Sequence, residues 1–110
     1  MSARELSTED LLAVLDGGGV TVVDALPPAP YAVRHLPGAL NVTAEDGDDV
    51  VRRALPDADA AIVTYSTDAA CTRGPELADR LVDLGYTDVC VYRDGIAGWV
   101  AAGHPVEAAT

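Results

Sequence analysis

The chain has no lysine, and its seven basic residues are all arginine. They stand against 18 acidic residues, aspartate outnumbering glutamate, for a formal net charge of -11. Binding nucleic acid or an anionic membrane needs a basic patch, so neither is an expected partner. Such a surface also steers small anions poorly. It fits the solvated acidic exterior of a bacterial protein from a high-GC or salt-adapted genome. Long apolar runs are absent as well. None approaches the roughly 20 residues of a membrane span. The polar start, Met1-Ser2-Ala3-Arg4-Glu5, has no secretory h-region, so the expected location is the cytoplasm. Cysteine is scarce. Cys71 and Cys90 are too few for a disulfide scaffold and lack zinc-site spacing, so neither a metal nor a cofactor is expected. No repeat, linker or low-complexity stretch interrupts the chain.

What is present suffices for one core. The 110 residues are 49% hydrophobic, which predicts a single folded domain over 1–110. Ser7 begins a helix reaching about Leu15. Asp10 completes a form of the capping box, and Leu6 and Leu11 are placed as a hydrophobic staple. Glycines 17–19 end it. Val20–Val23 reads as a short buried strand with Asp24 at its carboxyl end. Pro27–Pro30 reads as loop, Leu36–Ala39 as a turn, and Leu40–Val42 as a short strand. A weaker helix runs from about Asp46 to Leu55, acidic at its start and basic at its end, as the macrodipole favours. The apolar run Ala60–Tyr65 is a strand. Gly74–Leu84 is a helix with Leu77, Leu81 and Leu84 at helical spacing, and Gly85 is its C-cap. Val89–Tyr92 is another strand, holding Cys90 as a small buried hydrophobe. Asp94 caps a last helix with Ile96, Trp99 and Val100 on one face. Strands alternating with helices predict an α/β domain: a central, mainly parallel sheet flanked by helices on both faces, in three layers.

In such sheets ligands bind beyond the carboxyl ends of the strands. Asp24 and Ser66 both fall at such ends. Past Ser66 the chain makes a polar turn, Thr67-Asp68-Ala69-Ala70-Cys71, and then Thr72-Arg73-Gly74-Pro75 opens a helix. A strand turning sharply into a helix aims loop amides and the helix dipole at one spot, which stabilises an anion or a thiolate. Cys71 stands where the helix begins, a place where thiols become reactive, so packing and chemistry are both open to it. Ser66 is a weak nucleophile without a base. The Gly-x-Ser-x-Gly elbow of a hydrolase is missing from Thr64-Tyr65-Ser66-Thr67-Asp68. The only histidines, His35 and His104, read as a structural residue and a surface residue. A cysteine phosphatase would need arginine at Leu77, counted from Cys71, or at Thr72, counted from Ser66.

The order of motifs resembles the rhodanese-like family of sulfurtransferases from about Leu6 to Glu107. Val22-Val23-Asp24 resembles its first-strand motif. Arg34-His35-Leu36-Pro37-Gly38-Ala39-Leu40 resembles its Gly-His-Ile-Pro-Gly-Ala-Ile turn. Asp94-Gly95-Ile96-Ala97-Gly98-Trp99, then Gly103-His104-Pro105-Val106, resembles its closing signature. The resemblance implies an active loop, Ser66 to Cys71, whose first position is a cysteine that accepts a sulfane sulfur as a persulfide. It implies supporting roles for Asp24 and Arg73. Its small-molecule partners are a sulfur-containing anion or a thiol acceptor.

Three departures matter. The nucleophile position holds Ser66. Leu26 stands where the first-strand motif often has arginine. Asp68 puts a negative charge where an anionic donor would sit, although Arg73 is close enough in sequence to offset it. The expected function is therefore a rhodanese-like module silent in catalysis, used for binding or sensing. One alternative is an active sulfurtransferase with Cys71 as sulfur carrier. Another is a native cysteine enzyme silenced by engineering at position 66. The sequence names no donor, acceptor or partner protein.

Overall fold

The computed structural model describes residues 3–108. Ser7 caps α1 (Thr8–Gly17), its Oγ accepting the Asp10 N–H at 3.1 Å while the Asp10 carboxylate accepts the Ser7 N–H. Leu6 and Leu11 are both buried beside this cap, as a staple requires. The strands are β1 (Arg4–Leu6), β2 (Val20–Asp24), β3 (Leu40–Asn41), β4 (Ala61–Tyr65) and β5 (Asp88–Tyr92). The remaining helices are α2 (Pro28–Val33), α3 (Asp48–Ala54), α4 (Arg73–Asp83) and α5 (Gly95–Ala101).

The five strands form one sheet in the order β1-β5-β4-β2-β3, and every pairing is parallel. Side chains alternate across it. Val23, Ile62, Val89 and Val91 face one core, with Val51 of α3 and Leu77, Ala78 and Leu81 of α4. Val22, Val63, Tyr65 and Tyr92 face the other, with Leu11 of α1 and Ile96 and Trp99 of α5. Helices therefore cover both faces, and the three-layer expectation holds. Each fully buried leucine contributes roughly 1.5–3 kcal/mol.

The C-terminus of α4 shows why Gly85 is there. Its φ is +100°, its N–H reaches the Val82 carbonyl, and the Tyr86 N–H reaches the Leu81 carbonyl. This is a Schellman closure.

Several expectations need correction. Pro27–Pro30 is not loop throughout, because Pro28 opens α2. Prolines are tolerated in a first turn, where their missing N–H groups have no helical partner anyway. Strand β1 carries no sequence signal of its own: it is three residues long and exists through its pairing with β5. Asp94 occupies the N-cap position of α5 but makes no capping hydrogen bond, since its own backbone is already helical. Val100 is exposed, while Ile96 and Trp99 are buried. Cys90 is only half-buried.

After β2 the chain crosses to β3, on one side of the sheet. After β4 it crosses to β5, on the other. The gap between the carboxyl ends of β2 and β4 is thus the topological switch point, where ligands of open parallel sheets bind.

Candidate functional site

Asp24 and Tyr65 end β2 and β4 as direct register partners. Asp24 is fully buried. Its Oδ1 accepts the Leu26 N–H at 2.8 Å and its Oδ2 accepts the Tyr65 hydroxyl at 2.7 Å. The Tyr65 oxygen in turn accepts the Leu36 N–H at 2.9 Å. Burial pushes the Asp24 carboxyl above its usual range, against the lowering effects of the Leu26 and Tyr65 hydrogen bonds and of His35. Burial and the Asp24 charge also push the Tyr65 hydroxyl up. Asp24 thus lies under the site as a strut between strands and does not enter the loop.

Ser66 follows Tyr65 and is buried, at 3% exposure. Its Oγ accepts the Gly74 N–H at 3.1 Å, which caps the first turn of α4 from eight residues away. The loop then exposes Thr67, Asp68, Ala69 and Ala70 before returning to the half-buried Cys71. The Asp68 Oδ1 accepts the N–H groups of Ala70 at 3.0 Å and Cys71 at 3.1 Å. Arg73, read as able to offset the Asp68 charge, pairs with Glu45 at 3.3 Å. Asp68 is held by amides instead.

The Cys71 thiol is half-buried at the end of the loop. Burial pushes it up. Hydrogen bonds from the Ser66 hydroxyl, the Arg73 amide, and the amide and hydroxyl of Thr67 act the other way, and together they bring Cys71 below its ordinary range. The Ala70 and Cys71 amides are taken up by the loop's own Asp68 carboxylate.

The loop is fastened from α5. The N–H groups of Ile96 and Ala97 reach the carbonyls of Ser66 and Thr67, both at 2.9 Å. Gly95 has φ +65°, and a Cβ there would lie 2.4 Å from the Ser66 carbonyl oxygen. Arg93 donates to the Ala69 carbonyl at 3.0 Å. The sequence flagged Gly95 as part of a motif but offered no signal for Arg93 or for the Tyr65 hydroxyl.

The histidines are elsewhere. His35 is buried, its Nδ1 lies 2.9 Å from the Tyr31 carbonyl oxygen, and its ring stacks on Tyr31 at 4.1 Å. His104 is half-buried against Trp99 at 4.7 Å, more covered than a surface residue. Neither histidine hydrogen-bonds Ser66 among the described residues.

The fold is a parallel α/β domain with a polar loop and a half-buried thiol beside the switch point of its five-strand sheet. The rhodanese-like domain family matches residues 7–102. The HTH-type transcriptional regulator Rv0324 of Mycobacterium tuberculosis is 32% identical over 102 residues, which are 93% of this chain and 44% of that protein. The chain thus spans less than half the length of that relative. The BH2092 protein of Bacillus halodurans superposes with a TM-score of 0.86 at 25% identity, over 96% of this chain and 77% of that one. A thiosulfate sulfurtransferase of Pseudomonas aeruginosa shares the fold, with a TM-score of 0.78 at 22% identity, over 98% of this chain and 21% of that one. The chain belongs to the rhodanese-like domain family.

Proposed function

We propose that this domain is a rhodanese-like module that binds or senses and does not catalyse sulfur transfer through Ser66. One observation carries the reading: the Asp68 carboxylate already accepts the Ala70 and Cys71 amides that a bound anionic donor would need. The chemistry of Ser66 agrees. A persulfide needs protein sulfur, and the Ser66 hydroxyl is committed to Gly74 with no base to activate it. A sensing role also fits the kinship with a transcriptional regulator.

A second reading, sulfur carriage by Cys71, is favoured by the hydrogen bonds that lower its thiol. A lowered thiol near neutral pH is a better nucleophile in supply, because more of it is thiolate.

The test is thiocyanate formation from thiosulfate and cyanide. It compares the chain as it stands with Ser66→Cys and Cys71→Ser. No turnover by the unmodified chain supports the module. Turnover that disappears in Cys71→Ser overturns it in favour of the second cysteine.

A further inference from the structure

A cavity of about 120 Å³ opens at the β1 end of the sheet, between β1, β5 and α4. Alternation along the strands sends Glu5, Val91 and Arg93 to the face that α4 covers. Ala3, Ala78 and Val91 give the cavity an apolar wall, and Glu5, Asp79 and Arg93 supply its charges. Its volume is well below that of a drug-sized pocket, so it suits a ligand of a few heavy atoms.

The charges are of both signs. Among the described residues, neither the Glu5 and Asp79 carboxylates nor the Arg93 guanidinium forms an ion pair. Arg93 Nη2 donates to the Ala69 carbonyl at 3.0 Å, in the exposed part of the loop after β4. A guanidinium carries five N–H donors in a fixed fork, so donors remain for a second partner. One side chain thus belongs both to the cavity wall and to the fastening of the loop.

We propose that this cavity binds a small zwitterion, an α-amino acid with a side chain of about one methyl group, and that Arg93 couples its binding to the order of the loop. The ligand's carboxylate takes the free donors of Arg93, a charge-assisted pairing. Its ammonium group lies with Glu5 and Asp79, and its short side chain meets Ala3, Ala78 and Val91. A simple anion would face two carboxylates, and a simple cation would face the guanidinium. Only a ligand with both charges is attracted by all three groups. A bound carboxylate restrains the guanidinium and, through it, the Ala69 carbonyl. By linkage, an ordered loop then binds the ligand more tightly. The proposal gives the module a ligand at a second site and stands whether or not Cys71 reacts.

The experiment is an amide NMR titration of the intact chain with L-alanine at fixed pH and ionic strength. The Glu5, Asp79 and Val91 amides should shift along one saturating curve, with a dissociation constant on the order of a millimolar for so small a ligand. Ala69 and Ala70 should follow the same curve. N-acetylalanine lacks the ammonium group and alaninamide lacks the carboxylate. Each should bind at least about tenfold more weakly, the loss of one charge-assisted contact. Asp79→Asn, at an exposed position, should weaken L-alanine about fivefold and leave the Ala69 resonance of the free chain in place. Arg93→Gln should abolish binding. Arg53→Gln, an exposed arginine on α3, should change nothing. No saturating shift, or equal affinity for the three compounds, overturns the site. Saturating shifts at Glu5 and Val91 with Ala69 and Ala70 unmoved overturn the coupling to the loop.

Discussion

The Ser66 hydroxyl accepts the Gly74 N–H at 3.1 Å, tying the end of β4 to the first turn of α4. Its polarity also helps to hold the Cys71 thiol below the ordinary range, against the raising effect of burial. Ser66→Ala removes that hydroxyl, and the Cys71 thiol should titrate at higher pH. Thiolate absorbance near 240 nm, followed against pH in a Cys90→Ala background, reads the change. An unmoved titration would show that the amides alone hold the sulfur.

Asp68→Ala should free the Ala70 and Cys71 amides. Added sulfate or thiosulfate should then shift those two backbone resonances in NMR titration, whereas the unmodified chain should show little response. The same substitution added to Ser66→Cys should raise thiosulfate:cyanide activity above that of Ser66→Cys alone. Equal activity of the two would mean that Asp68 does not obstruct the donor.

Tyr65→Phe leaves the Leu36 N–H and one oxygen of buried Asp24 without partners. It should destabilise the fold by about 2 kcal/mol in urea melts. A loss below about 0.5 kcal/mol would show that water replaces the hydroxyl.

Asp24 also sets a pH dependence. Its carboxyl is raised on folding, mainly by burial. The native state therefore holds a proton longer than the unfolded chain. The contribution to stability is full below the ordinary carboxylate value of 3.8 and is lost as pH rises through the raised folded value. Asp24→Asn should flatten that fall in urea-derived stability. A slope identical in both proteins would assign it to other groups.

Gly95→Ala forces a side chain into φ +65° and against the Ser66 carbonyl. It should cost at least about 2 kcal/mol, and it should broaden or displace the loop resonances from Ser66 to Cys71. Retained stability with an unchanged loop would mean that α5 shifts freely.

Much of the fold was legible in the chain. Strands β2, β4 and β5 are short apolar runs between turn signals, and the α4 leucines recur at helical spacing. Ser7 and Asp10 announced a cap that the structure contains. Strand β1 was not legible, because three residues with one buried side chain, Leu6, are too few to show an alternation, and its place depends on pairing with β5. Helix α2 was hidden because prolines signal loop and first helical turn alike.

The local sequence determined that the chain alternates strand and helix and that a polar turn with a thiol at its end follows the central strand. Those properties depend on neighbours within a few residues. Tertiary structure alone decided what the turn does. Asp68 turns its charge onto the loop amides, leaving Arg73 to Glu45, and Ser66 bonds across eight residues to the start of α4. Helix α5 and Arg93 hold the loop from a distant part of the chain. Partners chosen in three dimensions leave no periodic trace in the order of residues. The charge of a buried group is set by what surrounds it, which folding supplies.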